Sequence, residues 1–180
     1  MDQKKFRYVY KDGEEFHSLS NIRILTYNVF MRPPPVTSNS SDYKEERLKD
    51  FINYKMNSFD VICVQELFGL FNDRKNKFIK AAKSKGLENY HRTDPLSFFS
   101  RYLVDSGLVT VSRFPIVAKE FEPFDNTILI DSIARKGVMY SKIKIEDNFL
   151  HMLTTHTQAS HYGFQGAEFQ RVSTKYNKFR

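Results

Sequence analysis

Three polar side chains sit where strand-like stretches end, and each is of a type that works on phosphates or hard cations. Asn28 follows Ile22-Arg23-Ile24-Leu25-Thr26-Tyr27, Glu66 follows Asp60-Val61-Ile62-Cys63-Val64-Gln65, and His156 follows Thr154-Thr155. A carboxylate at the end of a buried strand is expensive unless it is paired or binds a cation. An Asn and a Glu ending neighbouring strands make an oxygen-rich site suited to Mg²⁺. Each residue also has a plainer reading. Asn28 is then a turn residue leading into Met31-Arg32-Pro33-Pro34-Pro35, Glu66 is solvated, and His156 is a satisfied core histidine. Three strands ending the same way favour the site.

The other histidines carry less. His151 alternates with the apolar face of its strand and is expected to point outward. His161 lies in a loop where it could line a pocket. Nothing ties His17 or His91 to chemistry.

The elements that must position these groups are legible in the pattern. Residues 22–30 read as a strand, and the four apolar residues 61–64 read as a central strand buried on both faces. A helix capped by Ser41 or Asp42 joins them, with Tyr43, Leu48, Phe51, Ile52 and Met56 on one stripe. A second helix spans about 72–85, stops at Gly86, and buries Phe71, Phe78, Ile79 and Ala82. Its cations Arg74, Lys75, Lys77, Lys80, Lys83 and Lys85 read as a solvated face. Residues 89–92, 107–112, 116–121, 137–145 and 149–156 are strands. The last two join across Asp147-Asn148 and are expected to pair antiparallel. Residues 95–103 form a loop whose Phe98, Phe99 and Tyr102 are core residues or a lipid contact. A final helix begins near Gln165. Residues 1–20 form an N-terminal segment with an edge strand from Phe6 to Tyr10. Antiparallel pairs mixed with helices predict an α/β (α+β) layered sandwich rather than a Rossmann sheet.

Composition sets the bounds. The chain has 180 residues, enough for one real core, and a net charge of +7 favours phosphate-bearing partners, nucleic acid or lipid headgroup alike. The single cysteine, Cys63, lies in an apolar strand and reads as a small core residue. The start has no apolar signal region and no run is long enough to span a membrane, so a cytoplasmic protein, at most peripheral to membranes, is expected.

Taken in order, Thr26–Val29, Asp60–Glu66, Ser106–Ile116 and Thr155–Ala159 resemble the motifs of the endonuclease/exonuclease/phosphatase superfamily, over roughly residues 20–180. The Ser-Gly-Leu and Ser-Arg-Phe-Pro-Ile segments, with Asp131 and Lys136-Gly137, make the chain most similar to neutral sphingomyelinases. The resemblance implies a deoxyribonuclease-like sandwich of mixed, largely antiparallel sheets flanked by helices. It also implies Mg²⁺-dependent hydrolysis of a phosphodiester, with sphingomyelin the expected substrate and a membrane the expected surface. Glu66 would be the metal ligand and Asn28 would help position metal and phosphate. His156 would hydrogen-bond a phosphate oxygen, Lys136 would add positive charge, and Asp131 would orient Lys136. The same scaffold also serves nucleases and inositol-phosphate phosphatases, and a chain without turnover could bind a lipid or a partner.

The pattern departs from the superfamily in two places. No Asp has an Asn two residues on, and no Asp-His pair follows His161 to supply the general base. Residues 21–180 are therefore expected to be the N-terminal portion of such a domain. Without a positioned base, hydrolysis would fall by ~10²–10⁴-fold.

Overall fold

The structure is a computed structural model that describes residues 22–32, 43–93, 105–124 and 135–157. β1 (Ile24–Met31) runs into α1 (Lys44–Tyr54), a single 3₁₀ turn (Met56–Ser58) and β2 (Val61–Leu67). α2 (Arg74–Ser84), β3 (Asn89–Arg92) and β4 (Val109–Ser112) follow, then β5 (Ile116–Pro123), β6 (Gly137–Ile145) and β7 (Asn148–Thr155).

Two sheets result. The first has the order β1-β2-β4-β3, with β1 and β2 parallel and both other pairings antiparallel. The second is the antiparallel meander β5-β6-β7. β2 is central, as its continuous apolar run requires, and its side chains alternate between two cores. Ile62 and Val64 join Val29, Met31, Leu48, Phe51, Phe78, Ile79 and Ala82 beneath the helices. Val61 and Cys63 face the other way, onto Phe114 and Ile143 with Ile116, Leu150 and Met152 around them. The layers are thus helices, mixed sheet, antiparallel sheet. A buried hydrogen bond between His91 Nδ1 and Ser141 Oγ, 3.0 Å, ties the two sheets together.

The helical segment between parallel β1 and β2 supplies the crossover that parallel pairing demands. Phe51 stacks on Tyr27 of β1 and on Phe78 of α2, with centroids 5.7 and 6.0 Å apart. α2 ends as its sequence predicts. Gly86 takes φ +81, and the Leu87 N–H reaches back to the Ala82 carbonyl at 2.9 Å.

Several expectations need correction. β1 starts at Ile24 rather than Ile22 and β4 at Val109 rather than Gly107. Tyr43 takes the helix N-cap position in a left-handed conformation and is exposed, so it does not join the α1 stripe. Phe71 is 83 % exposed on the turn before α2, outside the buried side of the helix. The cationic face of α2 is not uniformly solvated: Lys75 is buried. It falls on the same helical stripe as Phe78, Ile79 and Ala82, three, four and seven residues on, and an acidic partner receives it there. The expected edge strand 6–10, the caps Ser41 and Asp42, the aromatics at 98, 99 and 102 and the helix from 165 lie outside the described residues. No helix among the described residues is long and apolar enough to cross a membrane.

Candidate functional site

The parallel pair β1–β2 keeps strict register from Ile24↔Val61 to Asn28↔Gln65, then slips, so that Met31 faces Leu67. β1 uses three steps there where β2 uses two. Such a bulge bends the strand and re-aims side chains. Phe30 (φ 53) and Glu66 (φ 58) both take the left-handed conformation at this point. A non-glycine residue held this way costs on the order of 1–3 kcal/mol, and such residues cluster at functional sites. The surroundings hold the bulge. Arg47 of α1 donates to the Val29 carbonyl at 2.8 Å and to the Phe30 carbonyl at 3.1 Å. The Phe30 N–H donates to Asn28 Oδ1 at 3.0 Å.

The other end of the Asn28 amide points at Glu66: Nδ2 donates to Oε1 at 2.8 Å. With Oδ1 occupied by an N–H and Nδ2 by a carboxylate, the amide orientation is fixed by its partners. His156 lies just beyond β7, and its Nε2 approaches the same Glu66 oxygen at 3.3 Å. Asn28, Glu66 and His156 therefore meet, although 128 residues separate the first from the last (156 − 28).

The two carboxylate oxygens of Glu66 have different fates. Oε1 receives both neighbours, while Oε2 is buried with no hydrogen-bond partner among the described residues. His156 Nδ1 is likewise buried and unpartnered among them. Burial alone would raise the Glu66 carboxyl. Hydrogen bonds from His156 and Asn28 and the positive charges of His156 and Arg32 outweigh it, leaving the pKa below the ordinary glutamate value. The carboxylate is thus held in its anionic, ligand-competent form. No group of three or more His, Cys, Asp and Glu gathers among the described residues. Any ion at Glu66 must draw further ligands from water, substrate or residues other than these.

Lys136 is buried beside the same strand end. Its Nζ donates to the Thr157 carbonyl at 3.2 Å, and the Thr155 hydroxyl donates to the Gly137 carbonyl at 2.9 Å. The segment before β6 is thereby tied to the segment that carries His156. Asp131 and His161 lie outside the described residues. His151 points outward, as its alternation predicts, and pairs with the Tyr140 hydroxyl at 2.8 Å.

Two contributors near Glu66 escaped the sequence reading. Arg32 was taken as part of a turn, yet its charge acts on Glu66 and its guanidinium stacks on Phe30, 4.4 Å from the ring centroid. Arg47 carries no mark in the sequence that separates it from the other polar residues of α1. Its position one helical turn before Phe51 places it over the β1 bulge, a signal visible only once the bulge is known.

A sequence profile of the Endonuclease/Exonuclease/phosphatase family matches residues 25–172. A sphingomyelinase of Dictyostelium discoideum is 38% identical over 134 residues, 69% of this chain and 28% of that protein. A sphingomyelinase C of Bacillus cereus is 28% identical over 148 residues, 78% of this chain and 44% of the relative. The chain thus spans less than half the length of these curated relatives. Among solved structures, a beta toxin mutant from Staphylococcus aureus with bound magnesium ions superposes with a TM-score of 0.64 at 22% identity, covering 88% of this chain and 60% of the toxin. That likeness supports the layered α/β sandwich described above.

Proposed function

The chain belongs to the endonuclease/exonuclease/phosphatase family, and on that premise we propose that its Glu66 end is the metal side of a sphingomyelinase-like phosphodiesterase. The substrate class rests on the relatives, which are sphingomyelinases. One observation carries the reading: a buried carboxylate held by Asn28 and His156 through one oxygen, with its other oxygen buried and unpartnered among the described residues. An oxygen in that state is stabilised by a cation.

Glu66 fits Mg²⁺ as a hard oxygen ligand. Bound there, the ion would polarise the phosphoryl group and offset the charge that builds on it. Asn28 orients the carboxylate through Nδ2, and its Oδ1, which accepts the Phe30 N–H, keeps a second lone pair for the metal or a water. His156 keeps Nδ1 for a phosphate oxygen. Its Nε2 is directed at Glu66, which leaves Nδ1 as the ring atom without a hydrogen-bond partner among the described residues. Lys136 orients the end of β7 through Thr157 and adds positive charge, with Asp131 as the group that would hold it.

The test is Mg²⁺-dependent hydrolysis by the 180-residue chain against sphingomyelin vesicles, DNA and RNA in one panel. The reading expects sphingomyelin to be cleaved, and Glu66→Gln and His156→Ala to remove the activity. Cleavage of nucleic acid alone would move the protein to another branch of the family. Sphingomyelin cleavage that survives Glu66→Gln would overturn the site.

A further inference from the structure

A second buried polar cluster lies against the back of Glu66, and nothing in the proposed chemistry uses it. Asp105, in the segment before β4, is buried and makes three contacts. Its Oδ1 accepts the Gly107 N–H at 2.7 Å, while its Oδ2 accepts the Gly69 N–H at 3.3 Å and meets Lys75 Nζ at 2.9 Å. Lys75 and Asp105 side chains are only 7 % and 10 % exposed. A buried pair of this kind is by itself weak evidence for stability.

The two backbone groups that Asp105 grips flank Glu66. Gly69 lies three residues after it. Gly107, at φ +65, packs on it so closely that an added Cβ would stand 3.1 Å from both Glu66 Cα and Leu67 N. The Gly107 carbonyl accepts the Leu67 N–H at 2.9 Å. Asp105 therefore clamps both sides of the one residue on β2 that takes a left-handed conformation. Lys75 anchors that clamp to α2, whose packing on the core fixes the reference frame.

We infer that Asp105 is a positioning residue that fixes the backbone at Glu66, and so the direction of its free carboxylate oxygen, through Gly69 and Gly107. The inference rests on the proposed role of Glu66. Groups that orient a ligand in this way typically hold about 10–100-fold of its ion affinity.

The test uses the 180-residue chain in a Lys75→Met background, which avoids stranding a buried ammonium when Asp105 is changed. Asp105→Ala removes both acceptors, and Asp105→Asn returns an acceptor without the charge. Two quantities are read: exchange protection of the Leu67 amide, and affinity for Mn²⁺ as a paramagnetic substitute for Mg²⁺. The inference expects Asp105→Ala to weaken Leu67 protection and Mn²⁺ binding by roughly 10-fold or more, and Asp105→Asn to restore most of both. An alanine variant that keeps the parent's protection and affinity would overturn it, as would an asparagine variant that restores neither. Glu66→Gln keeps the two readings separable. It should abolish Mn²⁺ binding and leave Leu67 protection at the parent level. Ion binding that survives it would contradict the role of Glu66, while Leu67 protection would still decide whether Asp105 holds this backbone.

Discussion

β2 carries a buried carboxylate at each end, and the two are treated in opposite ways. Asp60, just before the strand, is surrounded. Its Oδ2 accepts the Arg23 N–H at 2.9 Å, and its Oδ1 faces the Arg113 guanidinium with Nε at 3.4 Å. Arg113 is itself tied to the Lys85 carbonyl at 2.9 Å. At the far end, Glu66 offers one oxygen to two neighbours and leaves the other without a hydrogen bond among the described residues. The Asp60 end sits in regular register, whereas the Glu66 end sits on a bulge with two left-handed residues. One strand therefore separates a fully partnered carboxylate from one on a left-handed backbone with an oxygen that has no hydrogen bond among the described residues. The difference lies in the partners, since both groups are nearly equally buried.

Substitutions at the two ends should split cleanly between function and stability. Glu66→Gln is expected to lower Mg²⁺-dependent hydrolysis by more than the roughly 100-fold that loss of an outer orienting group causes, with little change in melting temperature. Asp60→Ala should do the reverse. It removes the buried carboxylate that faces the Arg113 guanidinium and accepts the Arg23 N–H, and is expected to destabilise by about 2–3 kcal/mol, read by urea unfolding, without changing ion affinity. If both variants lost stability alike and kept ion binding, the contrast between the two ends would collapse.

Gly107→Ala should affect both properties. The left-handed backbone and the contact at Glu66 Cα and Leu67 N predict a loss of about 1–2 kcal/mol. Ion binding should weaken more than that loss alone would explain, because the added methyl pushes on Glu66. A stable variant with intact affinity would show that Gly107 does not fix the site.

The smallest effect is one of pH. Burial would raise the Glu66 carboxyl, but His156, Asn28 and Arg32 hold it below the ordinary glutamate value. A carboxyl depressed on folding adds stability that is full above its unfolded pKa and lost as pH falls through the folded one. In the absence of metal, the stability gap between the wild type and Glu66→Gln should therefore close as pH drops through and below the ordinary glutamate range. Urea melts at a series of pH values would read this, and a gap independent of pH would contradict it.

Much of this arrangement could be read from the sequence because burial writes itself into residue type. The run Val61–Val64 announced a strand covered on both sides, and residues 137–145, expected as a strand, form β6 with those bounds. The meeting of Asn28, Glu66 and His156 was expected from their common place at strand ends. The geometry of that meeting was not legible. A bulge needs no glycine or proline when Arg47 and Asn28 absorb its free backbone groups, so Phe30 and Glu66 gave no local sign of their left-handed backbone. Lys75 looked like its solvated neighbours because its partner, Asp105, lies 30 residues away in sequence (105 − 75). Its place on the stripe with Phe78, Ile79 and Ala82 was the available clue. Phe71 misled in the opposite direction, since an aromatic beside a helix can stand on an exposed turn.

The most direct test of the central claim is a crystal of the chain soaked in Mn²⁺ and measured at the manganese absorption edge. The account predicts an anomalous peak at roughly 2.1 Å from a Glu66 carboxylate oxygen, with none beside Asp60. A peak absent at Glu66, or present equally at both ends of β2, would contradict it.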